Sequence, residues 1–412
     1  MTLFIIFLYL AVLAFGCRLH FLNNRHLQRY GHQAPPGFEN AINPETLVKS
    51  SAYTLAKGQV SLVQNLFDSG LTLLFVCAGL MSWYDAWLAN YGFSFIAAGL
   101  VFFILLSLVK TVLDLPFDLY NHFRIETRFG FNNMGIGLWC TDQLKSLFLS
   151  SLFFTFLASA AFWLIQTASE SWWLWVWALM VGFSLTMMMI SPYVIEPLFF
   201  TFEPLKVEGL EGGIREMMGK AGLSVSKVLK VDASKRSGHS NAYFTGIGKQ
   251  KRVVLFDTLL EQLSPQEILA VLAHELGHMK KKHILKRMIM MAGLALFYCW
   301  LAHALIGWPG LPQLVGMDEA SFYARLVILF FLSGILTFPL TPLFSHISRR
   351  DEYEADRFAC ALHGNPEDLA TALIKMSKEN LANLHPHPAY ARFYYSHPPV
   401  AERVKKLLGQ LI

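Results

Sequence analysis

Seven stretches of this chain are each long and apolar enough to cross a lipid bilayer, which takes an α-helix of roughly 20 residues. They run at about Leu3 to Cys17, Val63 to Tyr84, Phe93 to Leu113, Leu147 to Ile165, Trp172 to Ile190, Met288 to Trp308 and Leu326 to Phe344. Asp68 interrupts the second, and Lys110 lies near the end of the third. With 54% hydrophobic and 15% charged residues over 412 positions, the chain is too apolar for an ordinary soluble protein of its size. It reads as an integral, multi-pass membrane protein. The first stretch has no basic residue ahead of its apolar core and no A-x-A cleavage site, and "LAFGC" is a poor lipoprotein box, so a retained anchor is expected.

The net charge of +5 comes from lysines and arginines gathered in particular connections, which orients a membrane protein and gives no reason to expect nucleic acid as a partner. Arg25, Arg29, Lys49 and Lys57 lie between His20 and Ser61; Arg124, Arg128 and Lys145 lie between Asp114 and Ser146. The alternate connections are nearly free of base. The N-terminus is therefore expected outside, with the two large polar segments and the C-terminus on the cytoplasmic side. The five cysteines are scattered and odd in number, so they form neither a disulfide framework nor a CxxC metal clip.

The chain divides into a membrane part over 1–200, a polar segment over 201–287, two more spans over 288–344 and a second polar segment over 345–412. Each polar segment is small for an independent core, so one discontinuous α+β domain assembled against the membrane is expected. "KVLKVDASKR" and "AYFTGIGKQKRVVLFD" place β-branched and aromatic residues around a Gly-Ile-Gly-Lys turn, the pattern of short strands or a hairpin. "SPQEILAVLAHELGHMKKKH" follows. Ser264 as N-cap, Pro265 at the first helical position and Glu267 completing a capping box write the start of a helix.

On that helix His274 and His278 are four apart and share a face, so both can aim a ring nitrogen at one ion. Two imidazoles suit zinc. Glu275, turned by about 100° from His274, lies beside the ion and can take a proton from a water that the ion activates, the HExxH hydrolase pattern. Two polar residues, His274 and Glu275, interrupt the apolar run Ile268 to Leu276, and burying them with His278 would be costly without a metal or partners. A hydrolytic site needs a third protein ligand, and "SRRDEYEADRFACALHG" is the best source. Glu352 and Asp356 share a face there while Glu354 points elsewhere; one of the pair can bind the metal and the other accept the second N–H of a ligating histidine. Glu352 is favoured as the ligand. The alternative is a solvated acidic helix paired with Arg349 and Arg350.

Other polar residues read more plainly. His397 before two prolines and His239 look like solvent-facing loop residues, and His283 like part of a basic cluster at the membrane edge with Lys280 to Lys282. Asp68, Asp85, Asp114, Asp118 and Glu196, in or beside apolar runs, either line an interior chamber or cap helices.

Seven stretches in order, "SSAYTLAKGQ", "LPFDLYNHFRIETRFGFN", "IEPLFFTFEPL", "SKRSGHSNAYFTGIGKQKRVVLFDTL", "VLAHELGHMKKKHI", "SRRDEYEADRFA" and "YSHPPVAERVKKL", resemble the type 1 CAAX prenyl proteases, a family of multi-spanning zinc endopeptidases. The resemblance implies one zinc per chain on His274, His278 and Glu352, with Glu275 as general base and Asp356 behind a ligand. It assigns His397 to the oxyanion and makes Asn241, Ala242, Tyr243 and Phe244 an edge strand that holds the substrate peptide. The fold it implies is all-α and polytopic, a barrel of seven helices enclosing a chamber, with the metal near its cytoplasmic side. Its substrates are peptides or proteins, C-terminally prenylated in eukaryotic members. The tail "KKLLGQLI" lacks a dilysine retrieval signal, so a bacterial inner-membrane member is expected, for which prenylated substrates need not exist. Two alternatives stand beside this. One is a general membrane quality-control metalloprotease; the other is a chamber-type binding or transport protein with structural zinc, which would use four protein ligands and leave Glu275 idle.

Overall fold

The computed structural model describes residues 1–246 and 250–409. Ile247, Gly248 and Lys249 of the expected turn, and the last three residues of the tail, lie outside the described residues.

Among the described residues, seven helices are long and apolar enough to cross a membrane. They coincide with the seven apolar stretches but extend beyond most of them. The first runs over Thr2–Tyr30 and the second over Pro44–Cys77, so the basic connection between His20 and Ser61 is largely helical. The second span also ends earlier than its apolar run. Gly79 takes a left-handed φ of +88°, a conformation glycine adopts without a Cβ penalty, and a separate helix, Leu80–Ala89, follows. The apolar run continues to Tyr84 because Met81, Tyr84 and Leu88 of that short helix bury themselves with Phe102, Phe162 and Ile328 among the spans.

The third span, Phe95–Leu119, passes without a break into a π-helical turn over Tyr120–Glu126 and ends at Phe129. Such turns frequently sit at functional positions. The fourth and fifth spans are Ile136–Thr167 and Trp172–Val194, and the sixth is His283–Ile306. A cavity of about 740 Å³ lies between the third and fourth, lined from Ile104 to Phe154 and reached by Asp118.

The seventh span decides the architecture of the site. Phe322–Thr337 leads through a single 3-10 turn, Phe338–Leu340, into Thr341–His363. The helix bearing the EYEAD sequence is thus the outward continuation of a membrane helix. Its stop is Gly364 at φ +85°.

Among the described residues the strands form one open four-stranded sheet and close no barrel. β1 (Phe202–Pro204), β2 (Ser224–Val231), β3 (Ala242–Thr245) and β4 (Gln250–Phe256) lie in the order β1-β2-β4-β3. β2 and β4 are parallel, while β3 pairs antiparallel with β4 as the hairpin pattern predicts. One hydrophobic core joins this sheet to the helix Pro265–Lys280, through Leu255, Ile268 and Leu272, and to the C-terminal segment through Ala359, Leu369 and Val404. Phe38, Ile42 and Leu47, from the connection between the first two spans, complete it.

Four of the five acids singled out in the membrane part, Asp68, Asp85, Asp114 and Glu196, have structural partners. Asp68 and Asp114 both pair with Lys110. Asp85 accepts the Ser321 N–H at 2.8 Å, tying the short helix to the start of the last span, and Glu196 accepts the Tyr243 hydroxyl at 2.7 Å.

Candidate metal centre

The helix Pro265–Lys280 starts as its sequence demands. Ser264 accepts the Glu267 N–H, and the Glu267 carboxylate accepts the Ser264 N–H at 2.7 Å. This fixes the phase of His274 and His278. Gly277, between the two histidines, has the Ala355 Cα 2.9 Å from where a Cβ would stand. The absence of that Cβ lets the HELGH helix and the EYEAD helix touch backbone to backbone.

Three side chains meet where the helices cross. His274 Nε2 and His278 Nε2 are 3.2 Å apart, Glu352 Oε2 is 3.4 Å from the first, and Glu352 Oε1 is 3.2 Å from the second. A tetrahedral zinc with ligands at about 2.0–2.1 Å has ligand-to-ligand edges of roughly 3.3 Å, so the spacing fits. The chemistry fits as well. Glu352 is 3% exposed; its two oxygens face one imidazole nitrogen each, and Oε2 is buried with no hydrogen bond among the described residues, Arg403 standing 3.6 Å off. A buried carboxylate in that condition is costly unless a cation joins it.

Behind the trio stands a second layer. Asp356 Oδ1 is 2.8 Å from His274 Nδ1, which leaves Nε2 free to face the cluster. Arg403 grips the same carboxylate through two bonds, Nε to Oδ2 at 2.9 Å and a terminal nitrogen to Oδ1 at 2.6 Å. Another terminal nitrogen stands 3.6 Å from Glu352. Sequence reasoning gave Arg403 no role. The signal was present: in "PVAERVKKLL" it lies on the apolar stripe with Val400, Val404 and Leu407, and it is 6% exposed.

His283 differs from its expected place at a solvated membrane edge. It is 1% exposed, with Nδ1 3.0 Å from His278 Nδ1 and Nε2 3.2 Å from Glu354 Oε2. Lys282 makes the turn that brings it there, at φ +58°. Glu354 is accordingly turned away from the trio, toward His283 and Lys281. His239 is also not free in solvent. It stacks on Phe131 and lies between Asn380 at 2.8 Å and Glu126 at 3.6 Å, while Tyr53 and Lys57 of the second span hold the other oxygen of Glu126.

The remaining candidate residues surround the same point. Glu275 is partly exposed and makes no hydrogen bond or ion pair among the described residues; burial pushes its carboxyl above the usual range, which favours proton uptake. His397 leans over the cluster from its loop, Nε2 3.2 Å from Glu352 Oε1, with Ser396 Oγ on its Nδ1 at 3.0 Å. β3 is one of the two edges of the sheet, unpaired on its outer side among the described residues, and packs against the HELGH helix. Phe256 N–H donates to Asn241 O, so by antiparallel alternation Ala242 and Phe244 turn their N–H and C=O groups to the open side. The Asn241 side chain accepts the Ala242 N–H there at 2.8 Å, and Tyr243 faces Glu196.

Two family profiles divide the chain. Residues 23–201 match the CAAX prenyl protease N-terminal region, described as five membrane helices, and residues 204–411 match peptidase family M48. This chain belongs to peptidase family M48. The M48 protein is 34% identical to CAAX prenyl protease 1 of Saccharomyces cerevisiae, over 94% of this chain and 91% of that one. It is 30% identical to the uncharacterized metalloprotease YhfN of Bacillus subtilis, over 91% and 88%. The crystal structure of S. mikatae Ste24p superposes with a TM-score of 0.90 at 30% identity, covering 98% of each chain. The M48 protein is therefore a multi-pass membrane metalloprotease of the CAAX prenyl protease 1 type, and its family implies a metal, generally zinc.

Proposed function

We propose that this protease is a zinc endopeptidase, with one zinc per chain, that cuts peptide bonds near the C-terminus of extended substrates. The observation that carries the reading is the trio His274, His278 and Glu352 at tetrahedral spacing beside an unengaged Glu275. Zinc held by the trio would supply a Lewis acid that polarises the scissile carbonyl and makes water a better nucleophile. Glu275 takes the proton of the attacking water and delivers it to the departing amine. His397 Nε2 donates to the oxygen that gains charge, and Asp356 with Arg403 holds His274 in one tautomer and orientation. The charge asymmetry of the loops supports this chemistry on the cytoplasmic side.

The β3 edge supports an extended substrate, because an open strand pairs with any peptide backbone. Ala242→Pro removes the N–H that faces this edge without taking a bond from the β4 ladder. It is expected to raise KM or lower kcat about tenfold or more with zinc and Tm unchanged, whereas Ala242→Ser is tolerated. A zinc-loaded proline variant with unchanged kinetics would remove the edge from substrate binding, and a large fall in Tm would make Ala242 a structural residue.

The substrate class rests on the relatives named for CAAX prenyl protease activity. We assign a prenylated C-a-a-X tail, with the apolar spans offering the prenyl group a nonaqueous environment. The test is cleavage of one C-a-a-X peptide with and without its prenyl group. Preference for the prenylated form is expected. Equal cleavage of both, together with cleavage of unrelated membrane proteins, would establish a general quality-control protease instead.

A further inference from the structure

A second concave site lies outside the metal centre, on a neighbouring face of the same helix. It is a groove of about 1010 Å³ lined by Pro342, His346, Arg349, Arg350, Tyr353 and Arg357 of Thr341–His363, which recur at helical spacing. Tyr353 and Arg357 each follow Glu352 and Asp356 by one residue, so this stripe is turned by about 100° from the metal-facing one. The far wall is the C-terminal segment with Arg392 and Glu402, and the end of the first membrane helix closes it.

The charge in this groove is one-sided. Four arginines line it against one acid, Glu402, whose carboxylate is occupied by the Tyr353 hydroxyl at 3.4 Å. Arg349 is spent on the backbone oxygens of Ala391 and Tyr395 at 3.2 and 2.7 Å. Arg350, Arg357 and Arg392 are exposed and have no hydrogen bond or ion pair among the described residues. Guanidinium groups gathered without anions repel one another, and their planar forks match phosphate oxygens two at a time.

Position chooses among phosphate sources. Pro342 stands where the apolar span ends, and Arg357 lies 15 residues on, about 22 Å along the helix axis. The groove therefore opens at the bilayer edge and rises into the polar part. A headgroup anchored in the leaflet reaches it without leaving the membrane, and the surface of an anionic leaflet concentrates such groups there. We propose that this groove binds the phosphate headgroup of an anionic phospholipid.

The test uses the full-length, detergent-purified protein and its melting temperature. Dioctanoyl phosphatidylglycerol at saturating concentration is expected to raise Tm by about 4 °C, whereas dioctanoyl phosphatidylcholine leaves it unchanged and inorganic pyrophosphate raises it by less than half as much. The combined variant Arg350→Ser, Arg357→Ser, Arg392→Ser should keep its Tm without lipid and lose the phosphatidylglycerol shift. These side chains are exposed and stand outside the catalytic set, so peptide cleavage checks that the variant is folded. A shift retained in the variant, or an equal shift with phosphatidylcholine, overturns the site. Equal shifts with pyrophosphate overturn the bilayer as its source, and an equal shift with a hexaglutamate peptide overturns phosphate as its ligand.

Discussion

Glu275→Gln is expected to lower peptide turnover by at least about 10²-fold while zinc content and Tm stay at their wild-type values. The amide keeps the size and shape of the side chain and loses the ability to accept the water's proton. Nothing else should change, because Glu275 makes no hydrogen bond or ion pair among the described residues whose loss would disturb the fold. The surrounding helix is held by its capping box and by Gly277 against Ala355, neither of which involves this side chain. Near-normal turnover in this variant would remove the proposed mechanism. Loss of zinc would instead make Glu275 a ligand.

Glu352→Ala is expected to strip zinc from the purified protein. The effect should exceed the roughly 10–100-fold drop in metal affinity that follows removal of a partner behind a ligand. Glu352 brings the only carboxylate in the trio with His274 and His278. Glu354→Ala is the matched control, two residues away on the same helix, where the side chain faces His283 and Lys281. It should keep its zinc and most of its activity, since Asp351 remains 3.7 Å from His283. Metal analysis of the two purified variants separates them. Equal zinc loss in both would mean that the cluster of His283, Asp351 and Glu354 contributes to holding the metal.

Much of the frame was legible because its signals are local. Bilayer-length apolar runs identify spans whatever their neighbours, and a Ser-Pro-x-Glu start sets the phase of a helix within one turn. The same phase rule placed Glu352 and Asp356 together and Glu354 apart. The hairpin was readable from β-branched runs, and its edge position agrees with the order of the sheet. What was misread lies where a local pattern has a distant cause. The apolar run through Tyr84 looked like one span, yet its last turn belongs to a separate helix that packs on Phe102 and Phe162. His283 sits in a lysine-rich stretch and looked solvated, but the turn at Lys282 directs it inward against His278.

By itself the sequence determined that this chain lives in a bilayer, that it carries two histidines on one helical face, and that an acidic helix follows the last span. These depend on composition and on periods of a few residues, which any segment carries with it. Only the tertiary structure decided that the acidic helix is the continuous extension of that span, and that Arg403 reaches back to hold Asp356. It also decided that Glu126, His239 and Asn380 join three distant segments. The physical reason is the burial of charge. A buried carboxylate must find a cation or donors wherever the fold supplies them, and that partner is chosen by packing across the chain, not by spacing along it.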